Sequence, residues 1–174
     1  MPFDAERDHW RGSASPAVTL LVYGDYECPY TRLAYRSVQR IEPRLGGDLR
    51  FVFRHFPLTE KHPHALAAAG LVEAAARQGK YWEMHDVLFA RQKALEDDDL
   101  RRYADELGLD RVQVEQDLAD PAVWQRINQD ASSAVASGGR GTPTIFLDDR
   151  LYTESYDEPV LEAELRRTID RARA

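Results

Sequence analysis

Tyr23-Gly24-Asp25-Tyr26-Glu27-Cys28-Pro29-Tyr30-Thr31 joins an apolar run to a helical spacing and contains the chain's one cysteine. Upstream, Ala17-Val18-Thr19-Leu20-Leu21-Val22-Tyr23 is β-rich and apolar until Gly24 stops it. Continuous rather than alternating hydrophobicity predicts a central strand buried on both faces. Downstream, Tyr30, Leu33, Ala34, Ser37, Val38 and Ile41 recur at the spacing of one continuous helix face. Pro29 suits a first helical turn, where the missing N–H is harmless. Pro43 is expected to end or kink the helix near Glu42, because an interior proline costs about 3 kcal/mol. Leu49, Phe51, Phe53 and His55 then alternate as a second strand. Strand, helix and strand make a βαβ unit with a right-handed crossover.

The flanks divide around that unit. Residues 1–16 are polar, end in Gly12-Ser13-Ala14-Ser15-Pro16 and predict a loosely held arm. Residues 59–138 are helical in pattern throughout: an alanine-rich helix from Pro63 to Gly79, then one carrying Tyr81, Trp82, His85, Leu88 and Phe89. Asp97 to Asp99 are candidate caps for a third helix with Leu100, Tyr103, Ala104 and Leu107 as its stripe. Asp110 caps a short fourth, and Asp120-Pro121 opens a fifth lined by Trp124, Ile127, Ala131, Ala134 and Val135. Thr144-Ile145-Phe146-Leu147 reads as a strand, Asp148-Asp149-Arg150 as a hairpin turn into Leu151-Tyr152-Thr153, and Asp157 as the cap of a last helix. The expected organisation is a core of 17–58 and 139–174, with 59–138 as an inserted helical subdomain.

The 174 residues fit one domain able to bury about 70% of its unfolded surface, so neither a disulfide nor a metal is required for stability. A net charge of −7 argues against a nucleic acid or an anionic membrane as partner. Residues 1–10 are charged with no apolar segment, and no run approaches the length of a membrane span. Together with the lone thiol, this leads to the expectation of a cytosolic location.

Cysteine attacks as the thiolate. A helix N-terminus presents unpaired N–H groups and the positive end of the helix dipole, which favour an anion there. Cys28 stands at that point, with Asp25 and Glu27 acting against it. Thr31, one turn on, has a hydroxyl placed to donate to the sulfur. The plain alternative is an inert buried thiol.

Gly24-Asp25-Tyr26-Glu27-Cys28-Pro29-Tyr30, together with Gly141-Thr142-Pro143-Thr144 before a later strand, resembles the DsbA-like branch of the thioredoxin superfamily. Arg54-His55-Phe56-Pro57-Leu58, Gln78-Gly79-Lys80-Tyr81-Trp82-Glu83-Met84-His85 and Leu107-Gly108-Leu109-Asp110 extend the resemblance from about Ala17 to Arg166. It implies an α/β thioredoxin-like fold with helices inserted between the βαβ and ββα units. It also implies thiol–disulfide exchange with Cys28 as nucleophile, and substrate contact by Pro29, Tyr30, Thr31, Thr142 and Pro143. Thr142-Pro143 would be the cis-proline loop facing the cysteine, its backbone pairing with an extended substrate. No cofactor is implied, although glutathione is a candidate co-substrate; the partners are thiol- or disulfide-bearing proteins and peptides. The departure is Thr31, which stands where the family's second cysteine belongs and removes the intramolecular disulfide.

Two readings follow: a monothiol oxidoreductase, active in mixed-disulfide exchange, disulfide reduction or isomerisation, or deglutathionylation; or a redox-inactive module binding extended peptides or a small thiol. Glutathione conjugation is a third, without specific support. His55 is expected to face the core rather than act as a base. His62 and His64 lack the companions of a metal site, and the aromatic stripe of Tyr81, Trp82 and Phe89 reads as core.

Overall fold

A computed structural model describes residues 3–174. Five strands form one sheet in the order β1 (His9–Gly12), β3 (Leu49–His55), β2 (Val18–Gly24), β4 (Thr144–Leu147), β5 (Arg150–Tyr152). β2 and β3 are parallel, joined through α1 (Pro29–Leu45), and every other pairing is antiparallel. The helices α2 (Ala65–Arg77), α3 (Tyr81–Ala90), α4 (Asp97–Glu106), α5 (Arg111–Ala119) and α6 (Pro121–Ala136) follow β3. The chain ends in α7 (Glu158–Arg173). This is a mixed α/β thioredoxin-like fold.

β2 is buried on both faces because its two side-chain sets enter different cores. Leu20 and Val22 join the large cluster with α1, α2, α3 and α7, while Leu21 and Tyr23 join Val52, Phe56, Ala134 and Phe146 on the other side. The side-chain period of two makes this division unavoidable once β2 sits between β3 and β4. Asp110 and Asp120 cap α5 and α6 through the amides of Gln113 and Ala122. Asp148 adopts a positive φ of 53° in the β4–β5 turn, and its carboxylate accepts from the Thr19 amide at 2.9 Å.

Two expectations are corrected. Pro43 does not end α1: the helix continues to Leu45, because only the last turn loses a bond and Leu45 is buried by continuing. The predicted arm is not loose either. Met1 and Pro2 lie outside the described residues, but β1 pairs with β3, His9 opposite Phe53 and Gly12 opposite Arg50. Four residues of this segment find partners far along the chain: Arg7 with Asp130, Asp8 with Arg54, His9 with Glu73 and Arg11 with Glu42. Gly12, at φ 93°, lets the strand end against Leu49, whose carbonyl oxygen would lie 2.5 Å from an added Cβ.

Glu73 of α2 ties three elements together, since His9 and His55 both reach its Oε1, at 2.9 and 2.7 Å. Burial works to raise the Glu73 carboxyl, but the hydrogen bonds from His55 and His9 outweigh it and hold the carboxyl well below the usual range. A carboxyl depressed in the folded state contributes stability that is complete above its unfolded value, near 4.5, and is lost as the pH falls below that. Chemical denaturation as a function of pH is therefore expected to show a shallower acid loss in Glu73→Gln than in the wild type. Equal slopes below pH 4.5 would remove Glu73 from the account.

Candidate active site

β2 ends at Gly24 because a side chain there has no room. An added Cβ would lie 2.5 Å from the Phe53 ring and 2.7 Å from Cγ2 of Thr31. The next residues form a braced turn. The Asp25 carbonyl accepts from the Cys28 amide at 3.1 Å, and the fully buried Asp25 carboxylate accepts from the amides of Glu27 and Leu58, both at 2.8 Å. Its Oδ2 also pairs with Nδ1 of His62 at 2.8 Å. Glu27 accepts from the His64 amide just before α2. Both acids that seemed to oppose a thiolate are thus engaged with the segment 58–64.

From the other side, Gln92, buried after α3, donates to the carbonyls of Tyr26 (2.7 Å) and Cys28 (2.9 Å). Tyr26 reaches inward, its hydroxyl 2.8 Å from Nδ1 of His85. Burial, reinforced by Arg11 and by His55 and His9, pushes the His85 imidazole well below its ordinary value. It is neutral and belongs to an aromatic cluster with Tyr35, Phe53, Trp82 and Phe89. The Tyr81, Trp82 and Phe89 stripe is core, and His55 is fully buried.

Cys28 is the N-cap of α1, with Pro29 in the first turn. Only 3% of Cys28 is exposed, and its thiol donates to the carbonyl oxygen of Thr142 at 3.3 Å. The Thr142–Pro143 peptide bond is cis. Two stretches 114 residues apart therefore meet at the sulfur. Thr31 does not join them at the surface. It is fully buried, and its hydroxyl accepts from the Asp25 amide at 3.4 Å rather than bonding to the sulfur.

Tyr30 and Leu33 were placed on the buried face of α1, yet they are 60% and 49% exposed. The core-facing set is Thr31, Ala34, Tyr35, Ser37, Val38, Ile41 and Leu45, which leaves Tyr30 and Leu33 on the outer side of the helix. Tyr156, before α7, completes the neighbourhood: burial raises its phenol, and Cys28 and Tyr30 beside it raise it further. Gln92, His62 and Tyr156 carry no motif and lie 64, 34 and 128 positions from Cys28, so periodicity offered no signal for them. No group of three or more His, Cys, Asp or Glu side chains able to hold a metal occurs among the described residues.

This geometry, a cysteine at a helix start facing a cis-proline loop, is that of a thioredoxin-like protein, and comparison with known proteins agrees. A thioredoxin family model matches residues 4–171, and the chain belongs to that family. The thioredoxin-like oxidoreductase of Silicibacter pomeroyi DSS-3 superposes with a TM-score of 0.82 at 30% identity, over 96% of this chain and 92% of its own. The thiol-disulfide exchange protein alpha-DsbA2 of Wolbachia pipientis gives 0.80 at 20% identity, over 92% and 86%. A periplasmic thioredoxin-like protein of Salmonella enterica serovar Typhimurium gives 0.83 at 20%, over 97% and 93%.

Among curated proteins, the Na(+)/H(+) antiporter NhaA of Herminiimonas arsenicoxydans is 46% identical over 171 residues. That match takes in 96% of this chain but 27% of the antiporter, so the chain spans about a quarter of the length of the curated relatives it matches. No helix among the described residues is long and apolar enough to cross a membrane. The cytosolic expectation is corrected by the structural neighbours, one of which is periplasmic. A lone cysteine cannot form an intramolecular bridge in any compartment, so it never discriminated between them.

Proposed function

We propose that the protein carries out thiol–disulfide exchange through Cys28 alone. The observation that supports this best is the placing of Cys28 at the start of α1 and against Thr142, while Thr31 fills the second position without a thiol. The thiolate of Cys28 attacks one sulfur of a substrate disulfide, a Cys28–substrate S–S bond forms, and the other half leaves as a thiolate. A thiol from solution, or a second thiol of the substrate, then attacks the bound half and releases Cys28. Disulfide reduction, isomerisation and deglutathionylation are all versions of this exchange. The bond to the Thr142 carbonyl is made by the protonated thiol, so the attacking form turns away from that oxygen toward the α1 amides.

Tyr30 and Leu33 offer exposed apolar surface at the start of α1, and the Thr142 backbone offers strand-like pairing for an extended substrate. One observation favours the binding-only reading, namely the burial of Cys28. Incubation with oxidised glutathione followed by intact-mass measurement separates the two. The exchange reading expects one glutathione per chain, removed by a dithiol and absent in Cys28→Ala. An unmodified wild-type chain would leave the binding reading in its place.

A further inference from the structure

The first turn of α1 borders a cleft of about 590 Å³ whose walls carry Arg32, Arg91, Gln92, Lys93, Arg102 and Tyr103, and none of whose lining residues is acidic. In a chain of net charge −7 this is a local reversal of sign. Arg91 is held by Glu106 and Arg102 by Asp99, which fixes those two side chains along the wall. Arg32 and Lys93 have no carboxylate partner among the described residues, and Nε of Arg32 is buried without a hydrogen-bond partner. A buried donor left unpaired is costly and uncommon, so an acceptor brought by a ligand is its natural complement.

The cleft is also tied to the reactive residue. The Arg32 amide donates to the Cys28 carbonyl at 3.2 Å, and Gln92 donates to the same oxygen. Arg32 therefore stands one turn, roughly 6 Å along the axis, from Cys28. In a tripeptide thiol the carboxylates lie one or two residue lengths from the sulfur, roughly 3.5–7 Å. The span from a ligand sulfur to its carboxylates thus matches the axial distance between Cys28 and Arg32, on the wall that Lys93 shares.

We propose that this cleft binds the carboxylates of a small acidic thiol or its disulfide, of the glutathione class, and so selects the substrate of Cys28. The proposal rests on the exchange reading of Cys28, and its test separates the two. The rates of Cys28 modification by oxidised glutathione and by the uncharged hydroxyethyl disulfide are measured in the wild type, Arg32→Gln and Lys93→Gln. The ratio of the first rate to the second falls about tenfold in each variant, the size expected for one charge-assisted contact, and falls in the wild type as salt is added. A ratio unchanged in both variants overturns the cleft while leaving exchange intact. Lys93 is exposed, so its variant folds whatever becomes of Arg32→Gln. If the wild-type cysteine reacts with neither disulfide, the exchange reading fails. The cleft is then judged by calorimetry with S-methylglutathione, where binding weakened about tenfold by Lys93→Gln upholds it and no binding refutes it.

Discussion

Thr31→Cys is expected to convert the protein into a two-cysteine oxidoreductase, with an intramolecular disulfide to Cys28 appearing under mild oxidation. Thr31 lies one turn after Cys28 on α1, and its side chain is already buried against Gly24, so a cysteine enters without enlarging the site. Cysteine is the smaller side chain, and it gives up only the weak 3.4 Å contact to the Asp25 amide. Two cysteines separated by two residues at a helix start are the arrangement in which one thiolate is stabilised and the other resolves it. A well-oriented neighbouring group acts at an effective molarity on the order of 10⁵ M or more. An external thiol is present at millimolar levels. Oxidation of a dithiol peptide is therefore expected to accelerate at least ~100-fold over the wild type, with the accumulated glutathione adduct replaced by the internal disulfide. A variant that remains a dithiol after oxidation, and keeps the adduct, would show that the turn cannot bring the two sulfurs into bonding geometry.

The second large effect is on stability. Asp8→Ala should cost about 3–5 kcal/mol in chemical denaturation, because it removes one member of an ion pair that is wholly out of water. Both side chains have 0% exposure, and the carboxylate takes Nε and Nη2 of Arg54 at 2.8 and 2.7 Å. The Asp4 amide also donates to Asp8, so the loss extends into the N-terminal segment. The Arg54 guanidinium keeps its bond to the Tyr23 hydroxyl, itself paired with Ser133, but loses the Asp8 carboxylate. The double variant Asp8→Ala/Arg54→Met is expected to lose less than Asp8→Ala alone, since removing both charges removes the desolvation penalty with them. A loss below about 1 kcal/mol in Asp8→Ala would mean that water reaches Arg54 as readily as an exposed pair.

These two sites differ in how far they can be read from residues in order. Around Cys28 the information is local: an apolar run stopped by glycine, a cysteine, a helix-starting proline and a 3.6-residue period. Each is a short-range physical constraint, so strand, turn and helix follow from neighbours alone. Caps at Asp110 and Asp120 were legible for the same reason, since a cap bonds to an amide two or three residues away. The strand at His9–Gly12 was not. His-Trp-Arg-Gly has no alternation to reveal it; its His9 and Arg11 pair with Glu73 and Glu42, and Arg7 and Asp8 just before it pair with Asp130 and Arg54.

Tyr30 and Leu33 fail in the opposite direction. Their period is right for a buried face, but burial depends on what packs against each side chain, and Tyr30 and Leu33 stay 60% and 49% exposed. Gln92 and Arg32 are polar residues without a motif; one braces the reactive turn and the other lines a cationic cleft only because α3 and α4 fold back beside α1.

The amino-acid sequence by itself determined the strand–turn–helix that presents Cys28 and the absence of a second thiol at Thr31, while a family resemblance pointed to the loop at Thr142. The first two depend on bonds and sterics within a few residues. Only the tertiary structure decided that the Thr31 hydroxyl turns to Asp25, that the N-terminal segment is a sheet strand locked by buried charge, and that four cations gather next to the reactive turn. Each of these is a contact between residues far apart in the chain, whose energy exists only once the sheet and helices have brought them together.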